Sequence, residues 1–157
     1  MKTQPSRNFV AGMLKSFTDS LLLVNQASQI IIMGDLNDDP TDESLLKYLE
    51  SKPDTLIRAA TKLYNLMTIK NWGDPPGTLK YQGSWNIFDQ IIVSGNLIWN
   101  DSIFSIGPKG AEVFVPDFLF EDDEKYLGRK PFRTYIGFKY NDGYSDHLPV
   151  YIDLISR

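Results

Sequence analysis

Five polar residues from three separate stretches have the types and spacing to do chemistry together. Asp35 and Asn37 stand two apart at the end of QIIIMGDLN, residues 29–37. In extended geometry that spacing points a carboxylate and a carboxamide to one side. His147, the single histidine, follows Asp146 in YSDHLP at 144–149. Neighbours in an extended segment point opposite ways, so the two would do different jobs. Asp89 sits near the start of an otherwise apolar run, FDQIIVS at 88–94, and a buried carboxylate needs a partner. That partner is a Lys or Arg, a nearby loop that the carboxylate caps, or His147. The last choice would orient the imidazole and raise its pKa. An imidazolium beside a phosphate stabilises the charge that develops on its oxygens. Each stretch also has a plain structural reading: an Asx turn closing a strand for Asp35 and Asn37, and a hydrogen-bonded loop group for His147.

The elements that must position these residues follow from periodicity. Val10, Met13, Leu14, Phe17, Leu21 and Val24 recur at steps of three and four, which predicts a helix with one apolar face, capped by Ser6 or Asn8. Ile30–Met33 is a continuous apolar run, expected as a strand covered on both faces, with Gly34 as the turn after it. Thr41 is placed to cap a second helix burying Leu45, Leu46 and Leu49, and Leu56, Ala60, Leu63 and Met67 suggest a third. Residues 71–77 are a loop rich in Pro and Gly. Strands are expected over 78–81, 88–94, 97–106, 111–115 and 149–155, the last entered through Pro149. Glu121-Asp122-Asp123-Glu124 reads as a solvated acidic loop. Helix followed by strand makes the class α/β, and no repeat or linker divides residues 1–157.

The totals exclude several classes. A chain of 157 residues can bury a core of its own. With no cysteine, there is no disulfide, thiolate metal site or cysteine nucleophile. A net charge of −4 argues against a broad nucleic-acid coat, which needs clustered Lys and Arg. No apolar run approaches the ~20 residues of a membrane span, and residues 1–7 have no signal-peptide pattern. The expectation is a soluble, cytoplasmic chain, unless a preceding segment carries an export signal.

GDLND at 34–38, SWNIFDQIIVS at 84–94 and YSDHLPVYIDL at 144–154, in that order, resemble the endonuclease/exonuclease/phosphatase family. That family includes DNase I-like nucleases, abasic-site endonucleases, sphingomyelinases and inositol-polyphosphate 5-phosphatases. The resemblance implies metal-dependent hydrolysis of a phosphodiester or phosphomonoester by in-line attack of an activated water. Asp35 would deprotonate that water, and Asn37 would hydrogen-bond the phosphate. His147 would stabilise the pentacovalent phosphorus, and Asp89 would hold His147. Asp146 would bind Mg²⁺ or Mn²⁺. Trp85, with Trp72 and Tyr144, is available to line the substrate site. Substrate classes it leaves open are nucleic acid, phospholipid head group and sugar phosphate.

The resemblance covers only the C-terminal half of the family's pattern. The early strand ending in Asn or Asp, the metal-binding glutamate and the Asn-x-His element have no counterpart here. The implied fold is half of a four-layer α/β/β/α sandwich: one mixed, largely antiparallel sheet with helices on its outer face. Such a sheet would expose an apolar face, to be covered by a second copy or by the absent N-terminal half. The alternative to an enzyme is a non-catalytic remnant or binding module of the same fold.

Overall fold

The computed structural model describes residues 3–53, 59–68, 73–99 and 103–156. Leu56 and Trp72 lie outside them. In chain order the elements are α1 (Gln4–Val24), β1 (Ile31–Asp35), a π-helical turn (Ser44–Tyr48), β2 (Leu63–Asn65), β3 (Leu79–Tyr81), β4 (Ser84–Asn86) and β5 (Asp89–Ser94). There follow α2 (Asn96–Trp99), β6 (Phe104–Val113), β7 (Phe120–Asp122), β8 (Arg129–Pro131), β9 (Tyr135–Ile136), β10 (Lys139–Tyr140) and β11 (Val150–Ser156).

β5 is the centre. It pairs antiparallel with β1 on one side and β2 on the other. Its side chains alternate between two cores, as the period of two requires. Ile92 packs with Ala11, Leu45, Leu49 and Leu63, on the side of α1 and the π-helical turn. Ile91 and Val93 pack with Met67, Leu97 and Ala111, and with half-buried Ile106, Val150 and Ile152 of the β6–β11 ribbon. Helices, a three-stranded sheet and a ribbon therefore stack in three layers. The strands form this sheet and four two-stranded ribbons, where a single sheet was expected. Ile92→Ala removes a fully buried side chain from the first core. It is expected to lower stability by about 2–5 kcal/mol in urea unfolding.

Several local expectations are corrected. The helix begins at Gln4, with Pro5 in its first turn, where the missing N–H costs nothing. It buries Ala11, Thr18 and Leu22 and leaves Val10, Met13, Phe17, Leu21 and Val24 exposed. The covered stripe is thus the one with small residues, which lets the π-helical turn approach closely. β1 is not covered on both faces. Ile32 packs against the α1 side, while Ile31 and Met33 are exposed, Met33 by 56%. Thr41 caps nothing, because the turn that buries Leu45 and Leu49 starts at Ser44. Leu63 and Met67 lie on β2 and a 3-10 turn, not on a helix. Asn96–Trp99 is helical, and 104–113 is one strand instead of two.

The acidic stretch 121–124 is only partly solvated. Asp123 is buried and takes a salt bridge from Lys80 Nζ at 2.8 Å. That hydrogen bond holds its carboxyl below the usual range against the opposing effect of burial.

Candidate functional site

The β1–β5 register sets Asp35 directly opposite Asp89, at the rim where β1 ends and β5 begins. Both share parity with Ile91 and Val93, so both project from the sheet face that meets the β6–β11 ribbon. Residues 141–149 approach this rim from that ribbon, because they lead into β11. Leu148 N–H donates to Thr78 O at 2.8 Å, and His147 bridges Leu79 of β3. The Thr78 hydroxyl in turn accepts from Asp89 N–H at 3.4 Å.

His147 Nδ1 lies 2.7 Å from Asp89 Oδ2, and its Nε2 lies 3.9 Å from Asp35 Oδ2. Asp35 is held by Asn37: its Oδ1 accepts from Asn37 N–H at 2.8 Å and its Oδ2 from Asn37 Nδ2 at 3.2 Å. Asn37 adopts a φ of 53°, a left-handed conformation that asparagine tolerates better than most residues. The Asx turn is therefore real, and it also aims Asp35. The loop after Asn37 is anchored from below. Asp38 is buried and accepts from Arg7 Nε at 2.7 Å and Ser44 Oγ at 2.5 Å. Asp39 Oδ1 accepts from Ile87 N–H at 2.6 Å, and Gln90 Nε2 donates to Asp38 O at 2.9 Å.

The hydrogen bond to Asp89 raises the His147 pKa, against partial burial, which lowers it. The charges of Asp89, Asp35 and Asp146 add to the rise. A pKa raised on folding stabilises the protonated form. The pair's stability is thus fully present below about pH 6.5 and lost as pH climbs through the folded-state pKa.

Asp35, Asn37, Asp89 and His147 come together, with Asp146 at their edge; Trp85 stands apart. Asp146 is exposed beside them and reaches His147 through its charge. Among the described residues, no group of three His, Asp or Glu side chains could hold a metal ion. One exposed carboxylate does not fit a protein-held Mg²⁺ or Mn²⁺, which needs more oxygen ligands. Trp85 is half-buried on β4, paired with Lys80. It lines a cavity of about 210 Å³ with Asp74, Phe120 and Arg129, and none of the four clustered residues borders that cavity. A second cavity, of about 280 Å³, does open beside Asp35, between Arg7, Val10, Leu14, Leu36 and Leu45.

Sequence reasoning missed the supports. Ser145 Oγ accepts from His147 N–H at 3.0 Å, and Thr78 and Asp39 tie the three segments together. The serine immediately before Asp146-His147 was a usable signal; the partners of Thr78 and Asp39 were not.

The family model described as "Endonuclease/Exonuclease/phosphatase family" matches residues 1–156. No curated protein and no solved structure matches the chain.

Proposed function

Because the chain belongs to the endonuclease/exonuclease/phosphatase family, we propose that it hydrolyses phosphoesters through the Asp35–Asn37–Asp89–His147 cluster. The family is one of generally metal-dependent phosphoester hydrolases. The observation that carries the reading is a histidine held at one nitrogen by a half-buried carboxylate and facing an exposed carboxylate with the other.

In this reading a water oxygen attacks phosphorus in line with the ester oxygen that leaves. Asp35 takes the water's proton, the role of a general base. His147 presents Nε2–H to the phosphate oxygens as they gain charge. Asn37 fixes Asp35 and faces the same space, which holds the reacting atoms in place. Asp89 is a positioning residue: it acts through His147. A divalent ion, when bound, would offset phosphate charge. The described side chains do not fit one, so no step is assigned to it. That mismatch supports a second reading, a non-catalytic module of the same fold, in which purified chain gives no turnover at any metal concentration. The three observed layers are proposed as part of a four-layer sandwich. The exposed face of β1, with Ile31 and Met33, would be its open side, available to a second copy or a further segment.

The test is Asp89→Asn. Loss of the carboxylate removes the main cause of the raised His147 pKa. The alkaline limb of the phosphodiesterase pH profile is expected to move to lower pH, and the His147 ring resonances to titrate at lower pH in step. An unchanged profile in a folded variant contradicts the assignment.

A further inference from the structure

Residues 129–140, RKPFRTYIGFKY, hold four cations, four aromatic rings and no carboxylate, within a chain of net charge −4. They build β8 and the β9–β10 hairpin, whose register pairs Ile136 with Lys139 and Tyr135 with Tyr140. Gly137 turns the hairpin with a φ of 61°, as a two-residue loop with glycine first requires. This puts Phe138 at the tip, fully exposed at 107%. Tyr135, Ile136 and Tyr140 are also more than half or half exposed, with the two tyrosine rings edge to face at 5.5 Å.

The hairpin is tied down at its base. Asn141 N–H donates to Thr134 O at 2.8 Å, Tyr144 N–H to Phe132 O at 2.7 Å, and Thr134 Oγ1 to Tyr144 O at 2.7 Å. Tyr144 contacts Phe132 and Phe118 edge to face, and Phe118 contacts Phe114. An aromatic rim thus runs from the hairpin base to within two residues of Asp146. Arg129 and Lys130 pair with Asp117 and Glu121. Arg133 and Lys139 have no carboxylate partner among the described residues.

We propose that the β9–β10 hairpin is a lipid-surface anchor, seating Phe138 and Ile136 among acyl chains while Tyr135, Tyr140 and Lys139 sit at the head groups. Aromatic rings with one wet edge favour that boundary, and a lysine stem reaches from it to phosphate. Lys139, exposed and without a carboxylate partner among the described residues, matches the negative charge of such a surface, while Arg133 is turned back to donate to Lys80 O at 3.5 Å. A single-stranded nucleic acid would also accept rings and cations. Aliphatic Ile136 offers it no stacking face, however, and suits acyl chains instead. Among the described residues no helix is long and apolar enough to cross a membrane, so the anchor lies on the surface. Resting on the phosphoesterase reading, the substrate class becomes a phosphoester carried at a lipid surface.

The test is co-sedimentation with vesicles of equal parts phosphatidylcholine and phosphatidylglycerol. Phe138→Ser is expected to lower partitioning roughly tenfold or more, with an unchanged near-ultraviolet circular dichroism spectrum. Its hydrolysis of soluble bis(p-nitrophenyl) phosphate should match wild type, while hydrolysis of a vesicle-borne phosphodiester falls with partitioning. Equal partitioning of the two proteins, or none by wild type, overturns the anchor. So does a dimer that Phe138→Ser dissolves, or a Phe138-dependent complex with single-stranded DNA. Failure of the phosphoesterase reading would register separately, as no wild-type hydrolysis of the soluble ester whatever the vesicles do.

Discussion

His147→Ala is expected to lower the turnover of a phosphodiester by about 10²–10³-fold, the usual loss when one preorganised donor to a developing oxyanion is removed. The imidazole is well placed for that effect. Its Nδ1 is fixed at 2.7 Å from Asp89, which leaves Nε2–H as the free donor. The ring is partly shielded from water, so its charge is felt more strongly than in bulk solvent. Alanine also leaves Asp89 without its main partner. The variant should therefore be compared with His147→Gln, which retains a donor, and both checked by thermal unfolding. Steady-state rates at saturating substrate decide the matter. A folded His147→Ala protein with wild-type turnover would place the chemistry elsewhere.

Asp35→Asn is expected to cost about 10²–10⁴-fold in turnover, the range for loss of a general base. The substitution keeps the shape of the group and an oxygen for the Asn37 N–H, so the turn at 35–37 should survive. It removes the basic oxygen facing His147. The discriminating readout is pH. With Asp35 gone, residual activity should rise as hydroxide concentration rises, because the solvent must then supply the nucleophile already deprotonated. A variant that loses activity while keeping the wild-type profile shape would mean that Asp35 acts only through structure.

What could be read from the chain differs between site and scaffold. The Asp89–His147 contact was one of several open to a carboxylate in the run FDQIIVS, and the family resemblance is what implied it. The same run made β5 legible, as uniform burial gives a continuous apolar word. What positions Asp35 against Asp89 is strand register, and register is a property of two segments jointly. It cannot be read from either alone. The helix failed differently. α1 carries apolar residues on more than one face, and periodicity cannot say which face is covered. Its larger side chains, Phe17 and Met13, stay outside, while Ala11 and Thr18 go in. Asp123 was read as part of a solvated run because its partner, Lys80, comes from a distant strand. The supports of the site, Thr78 and Asp39, are likewise ordinary loop residues until the fold brings them to Asp89 and Ile87.

Hydrolysis of a phosphodiester in ¹⁸O-labelled water, run side by side on wild type, Asp35→Asn and His147→Ala, probes the cluster most directly. The expected outcome is one ¹⁸O atom in the phosphate product of the wild-type reaction, none in the released alcohol, and loss of that product in both folded variants. Label in the alcohol, or undiminished labelled phosphate from either variant, would show that water does not attack phosphorus under the control of these two side chains.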